Sequence, residues 1–212
     1  MNFDVYVITD ERISGGRSHE EIARLAVRGG AGIIQLRDKT RSCGELVAIG
    51  REIASVTRKA GATFIINDRL DVALSCGADG VHLGQGDLRP GTARQLAPPG
   101  FVIGVSVGTV AEARDAEREG ADYIAVSPVF STGSKNDAGP GYGLGRLREI
   151  RCAVSLPVIA IGGINRGNVS RVIAAGADGV AVISAVVATP DIAAAVRDLR
   201  SLVRESKRER DR

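Results

Sequence analysis

Eight times along its 212 residues the chain repeats one pattern. A short apolar run rich in Val and Ile is followed by a longer stretch with apolar residues at helical spacing. The runs occupy 4–9, 32–36, 63–66, 79–82, 101–105, 122–126, 157–161 and 179–182. Most are continuous rather than alternating, which suits strands covered on both faces. Helical spacing is clearest over 18–28, 42–59, 110–119, 167–175 and 191–203. Alternating β and α units imply a parallel sheet. Eight of them imply an α/β chain folded as a single, compact (β/α)8 TIM barrel. A doubly wound open sheet is the alternative. The barrel, a catalytic domain, is expected over 1–203. The charged stretch 204–212 is expected as a C-terminal tail, a frayed and solvated helix end.

An internal echo accompanies the units. Gly-Ala-Asp-Gly occurs at 77–80 and 176–179, Gly-Ala-Asp-Tyr at 120–123 and Gly-Ala-Gly-Ile at 30–33. Each follows a helical stretch and opens a strand, where glycine can end the helix in a left-handed conformation. These motifs belong to the stability face of a barrel and carry no chemistry.

Charge and composition exclude several functions. Lys and Arg number 28 against 25 Asp and Glu, for a net +3, and part of that excess sits in 204–212. Aromatic residues are 3% and Trp is absent. A nucleic-acid protein usually shows a clustered basic face, and a single-strand binder needs rings for stacking. No nucleic acid partner is expected. No run of 18 apolar residues and no leader-like N-terminus occurs, so no membrane is expected and the reading is cytoplasmic. Cys43, Cys76 and Cys152 are odd in number and far apart in sequence. They read as buried or half-buried free thiols in a reducing compartment. Nothing suggests a flavin, nicotinamide or pyridoxal group.

In a barrel, chemistry collects at the C-terminal ends of the strands. After the second strand comes Gln35-Leu36-Arg37-Asp38-Lys39. Alternation sends Gln35, Arg37 and Lys39 to one side, where a donor and two cations suit a phosphate-bearing ligand. Asn67 and Asp68 follow the third strand, and Gly84-Gln85-Gly86-Asp87 follows the fourth. Asp68 and Asp87 over one mouth suit a hard, oxygen-ligated ion such as Mg²⁺. A helix cap for Asp68 and a turn for Asp87 are the bland alternatives. Ser106 ends the fifth strand. Thr132, Gly133, Ser134 and Lys135 open a glycine-rich loop after the sixth, with the parts of an anion cradle. Gly162-Gly163 and Ile183-Ser184 end the last two strands, where this architecture often binds phosphate. His82 reads as a structural residue not joined to a Ser or Cys, and His19 as solvated. No nucleophile–base pair emerges.

Together these segments resemble the thiamine-phosphate synthase family. The matching stretches are 35–39, 66–69 with 71–73, 80–85 with Asp87, 103–106, 128–135, 160–164 and 179–185. The resemblance implies joining of 4-amino-2-methyl-5-hydroxymethylpyrimidine diphosphate to a thiazole phosphate, giving thiamine phosphate and pyrophosphate. It places Gln35, Leu36, Arg37, Asp38, Lys39, Asn67, Ser106 and Lys135 on the pyrimidine diphosphate. Arg37, Ser106 and Lys135 would act in catalysis. Asp68 and Asp87 would hold Mg²⁺. Thr132, Gly133, Ser134, Gly163, Ile183 and Ser184 would hold the thiazole phosphate. The implied partners are small phosphorylated substrates, with homo-oligomerisation left open. The chain departs from the family pattern at Ser127, usually Gly, at Ser134, usually Thr, and at Ser106-Val107-Gly108-Thr109. A related thiazole tautomerase and a non-catalytic barrel that binds thiamine phosphates are the alternatives. Neither needs the full diphosphate and metal set.

Overall fold

A computed structural model of the chain describes residues 1–134 and 141–212. Eight parallel strands close into a barrel in sequence order. They are β1 (Val5–Ile8), β2 (Ile33–Leu36), β3 (Thr63–Asn67), β4 (Gly80–Leu83), β5 (Val102–Val107), β6 (Tyr123–Val126), β7 (Val158–Ile161) and β8 (Gly179–Val182). Closure is made where β1 pairs on one side with β2, Tyr6 opposite Ile33, and on the other with β8, Val5 opposite Val180. The helices are α1 (His19–Gly29), α2 (Cys43–Ala60), α3 (Leu70–Cys76), α4 (Pro90–Leu96), α5 (Val110–Arg118), α6 (Gly143–Ala153), α7 (Val169–Ala174), α8 (Ser184–Val187) and α9 (Ile192–Arg210). The open-sheet alternative is thereby set aside. Among the described residues no helix is long and apolar enough to cross a membrane.

The strands are short because each need only cross the barrel once, and both of their faces are buried. Helix starts carry the expected side chains. Ser42 with Glu45, and Thr109 with Glu112, form reciprocal capping boxes on α2 and α5. At the other end of the units the Gly-Ala-Asp echo has a physical use. Gly77 ends α3 with φ 73°. Asp79 then accepts a hydrogen bond from the Phe64 amide at 2.7 Å. Asp122 does the same for Ile103 at 2.7 Å and Asp178 for Val158 at 2.8 Å. Each carboxylate satisfies an amide at the start of the preceding strand, a donor that would otherwise lie idle at the sheet's end.

Four expectations need correction. First, 204–212 is not a frayed tail. α9 runs without a break to Arg210, and Arg204 and Lys207 bind the Asp4 carboxylate at 2.8 and 2.7 Å. Burial alone would raise the Asp4 pKa, but hydrogen bonds from Lys207 and Arg204 outweigh it and hold the group below its usual range. Second, β5 extends to Val107, so Ser106 lies within the strand. Third, His19 is buried, 1% exposed, with its ring against Thr9 Oγ1 at 2.7 Å and Asp38 at 3.3 Å. Fourth, Cys76 is buried but Cys43 and Cys152 are exposed; all three are free thiols.

Candidate active site

The C-terminal ends of β2 to β5 surround a cavity of about 440 Å³. Arg37, Lys39, Asn67, Asp68, Asp87 and Ser106 all line it. Asp68 sits at φ 62°, a left-handed conformation that a side-chain-bearing residue adopts at a cost. Its amide donates to the His82 carbonyl at 2.8 Å, which ties the turn to β4. Asp87 closes its own turn by accepting from the Gly84 amide at 2.7 Å. The two carboxylates meet. Burial, and then the hydrogen bond and negative charge of Asp87, push the Asp68 pKa above the usual carboxylate range. Lys39, 3.7 Å from Asp68, and Arg37 pull the other way. Paired acids held this close gain from a hard cation, so the donor set fits Mg²⁺. Among the described residues no group of three or more His, Cys, Asp or Glu could hold a metal ion. An ion here would depend on two protein carboxylates, leaving positions for water and substrate oxygens.

Three residues expected on the diphosphate do not line this cavity. Gln35 is 2% exposed and lies beneath it in the barrel interior, donating to the Tyr6 hydroxyl at 2.6 Å. Leu36 is a core residue. Asp38 turns its carboxylate to the Thr40 amide and hydroxyl, the Arg41 amide and the His19 ring. Burial would raise the Asp38 pKa, but the Thr40, His19 and Arg41 bonds outweigh it and lower the value well below normal. Asp38 therefore shapes the loop that carries Arg37 and Lys39. Lys135 lies outside the described residues.

His82 also departs from expectation. Its Nε2 is 2.9 Å from Ser106 Oγ, and its Nδ1 is 3.0 Å from the Tyr123 hydroxyl. Gln85, Glu112 and Tyr142 also line the cavity. Gln85 donates to the Ser106 carbonyl at 2.6 Å. Glu112 accepts from the Gly108 amide at 2.7 Å. Its signal was the Thr-x-x-Glu capping pattern at 109–112. Tyr142 rests on Gly108, where a Cβ would fall 2.4 Å from its hydroxyl oxygen.

A second cavity of about 410 Å³ opens beside the first, over β6 to β8. Thr132, Gly133, Ser134, Gly163, Ile183 and Ser184 all line it. Ser134 Oγ donates to Ser184 Oγ at 3.2 Å, joining the loop after β6 to the start of α8, 50 residues away. Gly163 has φ 63°, and a Cβ there would lie 2.6 Å from the Ser131 carbonyl oxygen. Asn168 donates to the Gly163 carbonyl at 2.9 Å and fixes the turn. Ser127 and Pro128 line both cavities, so the two share one wall.

A closed barrel with two adjoining cavities at its C-terminal mouth, one lined by cations and paired acids, the other by hydroxyls and backbone, defines a TIM-barrel enzyme with a bipartite site. Comparison with known proteins narrows this class. Residues 5–186 match the family described as Thiamine monophosphate synthase. A thiamine-phosphate synthase of Methanoregula boonei is 64% identical over 207 residues, 98% of this chain and 96% of that one. One from Methanoculleus marisnigri is 60% identical over 209 residues, covering 99% of each chain. The solved thiamine phosphate pyrophosphorylase of Pyrococcus furiosus is 42% identical, with a TM-score of 0.89 over 97% of each chain. The chain belongs to the thiamine monophosphate synthase family and, with it, to the transferases of thiamine biosynthesis.

Proposed function

We propose that the chain condenses 4-amino-2-methyl-5-hydroxymethylpyrimidine diphosphate with 4-methyl-5-(2-phosphooxyethyl)thiazole, or its carboxylated form, and that Mg²⁺ is required. The products are thiamine phosphate and pyrophosphate. The observation that carries this reading is the pair of cavities with a common Ser127–Pro128 wall. Two substrates seated on either side of it meet where the new bond must form.

The first cavity takes the diphosphate. Arg37 and Lys39 offer charge, and Asn67 and Ser106 offer hydrogen bonds. Asp68 and Asp87 would hold Mg²⁺, which would supply positive charge to offset that of the leaving group. The C–O bond to the pyrimidine methylene breaks first, and its electron pair leaves on pyrophosphate. The resulting cation is stabilised by its own ring. Arg37 and Lys135 hold the departing charge, which is electrostatic catalysis without a protein nucleophile. The thiazole nitrogen then gives its lone pair to the methylene carbon. The second cavity orients that nitrogen by holding the thiazole phosphate on Thr132, Gly133, Ser134, Gly163, Ile183 and Ser184. The fixed approach converts an encounter into a positioned attack.

The test is incubation of the pure protein with both substrates and Mg²⁺, assaying thiamine phosphate and pyrophosphate together. Thiamine phosphate is expected only when both substrates are present. Its absence at every Mg²⁺ concentration would refute the reading.

A further inference from the structure

Five polar side chains cross the barrel interior in one line. Gln35 Nε2 donates to the Tyr6 hydroxyl at 2.6 Å. The Tyr6 and Tyr123 oxygens lie 3.1 Å apart. Tyr123 reaches His82 Nδ1 at 3.0 Å, and His82 Nε2 reaches Ser106 Oγ at 2.9 Å. Gln35 and both tyrosines are buried, while His82 and Ser106 line the larger cavity. Room for the line is built in. At Gly104, beside Tyr123 on the neighbouring strand, a Cβ would fall 2.0 Å from the Tyr123 ring.

The direction of the line follows from its buried end. An amide nitrogen can only donate. Tyr6 accepts from it and keeps its own proton for Tyr123. Tyr123 then donates a hydrogen bond to His82 Nδ1, which places the ring hydrogen on Nε2. His82 Nε2–H donates to Ser106 Oγ, and the Ser106 hydroxyl hydrogen is left to point elsewhere. The opposite direction would have Tyr123 donate to Tyr6 and leave the Tyr6 hydrogen facing a donor. A buried hydroxyl hydrogen without an acceptor is costly. Burial pushes both phenol pKa values up, so both tyrosines stay neutral and keep their protons.

We propose that Gln35, Tyr6, Tyr123 and His82 form a one-way hydrogen-bond chain that aims the Ser106 hydroxyl proton into the diphosphate cavity. Gln35, Tyr6 and Tyr123 act on the cavity only through His82 and Ser106, the two members of the chain that line it. The proposal rests on the reading of that cavity as the diphosphate site. It adds that the serine arrives as a preset donor to a phosphate oxygen, with no reorientation on binding.

The chain holds only two histidines, so ¹⁵N-histidine labelling reads it directly. Resonances lost in His82→Gln assign the His82 ring. The free protein is expected to show His82 with hydrogen on Nε2 and bare Nδ1. Gln35→Glu replaces the terminal donor by an acceptor and should move the hydrogen to Nδ1. Tyr123→Phe removes the middle link and should give averaged tautomers. It should also raise the diphosphate KM about tenfold, the effect of one charge-assisted hydrogen bond, and leave the thiazole-phosphate KM unchanged. Hydrogen on Nδ1 in the wild type, or an unmoved tautomer in Gln35→Glu, overturns the proposal. So does a Tyr123→Phe protein that loses thermal stability with both KM values unchanged. The resonances are recorded without substrate, so a protein that makes no thiamine phosphate would refute the reaction while the tautomer still decides the chain.

Discussion

The two cavities at the barrel mouth share a wall and differ in what they offer an anion. The one over β2–β5 presents side-chain charge, with Arg37, Lys39 and the paired acids Asp68 and Asp87. The one over β6–β8 presents hydroxyls and glycine backbone, with Ser134 bonded to Ser184 and Gly163 held by Asn168. Charged side chains can follow a ligand whose charge changes, as a leaving diphosphate does. Backbone donors stay where the strands put them, which suits a phosphate that serves only as a handle. Under the proposed reaction, the difference would give chemistry to one cavity and orientation to the other.

Removing a paired acid tests the first half of that contrast most severely. Asp87→Ala should keep its circular dichroism and lose about 100-fold in activity, judged against what metal-site changes usually cost. An unchanged rate and Mg²⁺ dependence would take Asp87 out of the site. Filling the backbone cradle tests the second half. Gly163→Val forces a side chain onto the Ser131 carbonyl at positive φ. It should raise the thiazole-phosphate KM about tenfold, equivalent to about 1.4 kcal/mol. Steady-state kinetics in which only the diphosphate KM moved would mean the two cavities are assigned backwards. A smaller effect comes from Ser184→Ala, which deletes one neutral hydrogen-bonding group and should weaken thiazole phosphate about threefold to tenfold by titration calorimetry. Ionic strength should separate the cavities most gently. Between about 0.01 and 1 M salt the screening length falls from about 30 to 3 Å, and the diphosphate KM should rise about threefold more than the other. Equal responses would show that both cavities bind by side-chain charge.

The barrel and the side of it that carries the site were legible because both rest on local pattern. A continuous apolar run announces a strand with two buried faces. Its last residue announces the catalytic end. Depth was not legible. Alternation puts Gln35 and Arg37 on the same side of β2, yet Gln35 lies in the interior and Arg37 at the cavity. Partnership was not legible either. Tyr6 meets Tyr123 across 117 residues, and His82 meets Ser106 across 24. No spacing rule links such positions; only the order and register of the closed sheet bring them together. His19 was misread for the same reason, since an imidazole beside a turn looks solvated until Thr9 and Asp38 close on it.

The clasp between Asp4 and the end of α9 has a consequence for the chain as a thread. Its two ends meet within a hydrogen bond, although 203 residues separate Asp4 from Lys207. A ring could thus be made by a short polar linker between residues 1 and 212, and the chain reopened at an exposed turn on the stability face, such as the one at Gly61. Such a permuted protein would keep every strand neighbour and both cavities. The order in which strands are synthesised would change, and the barrel would not.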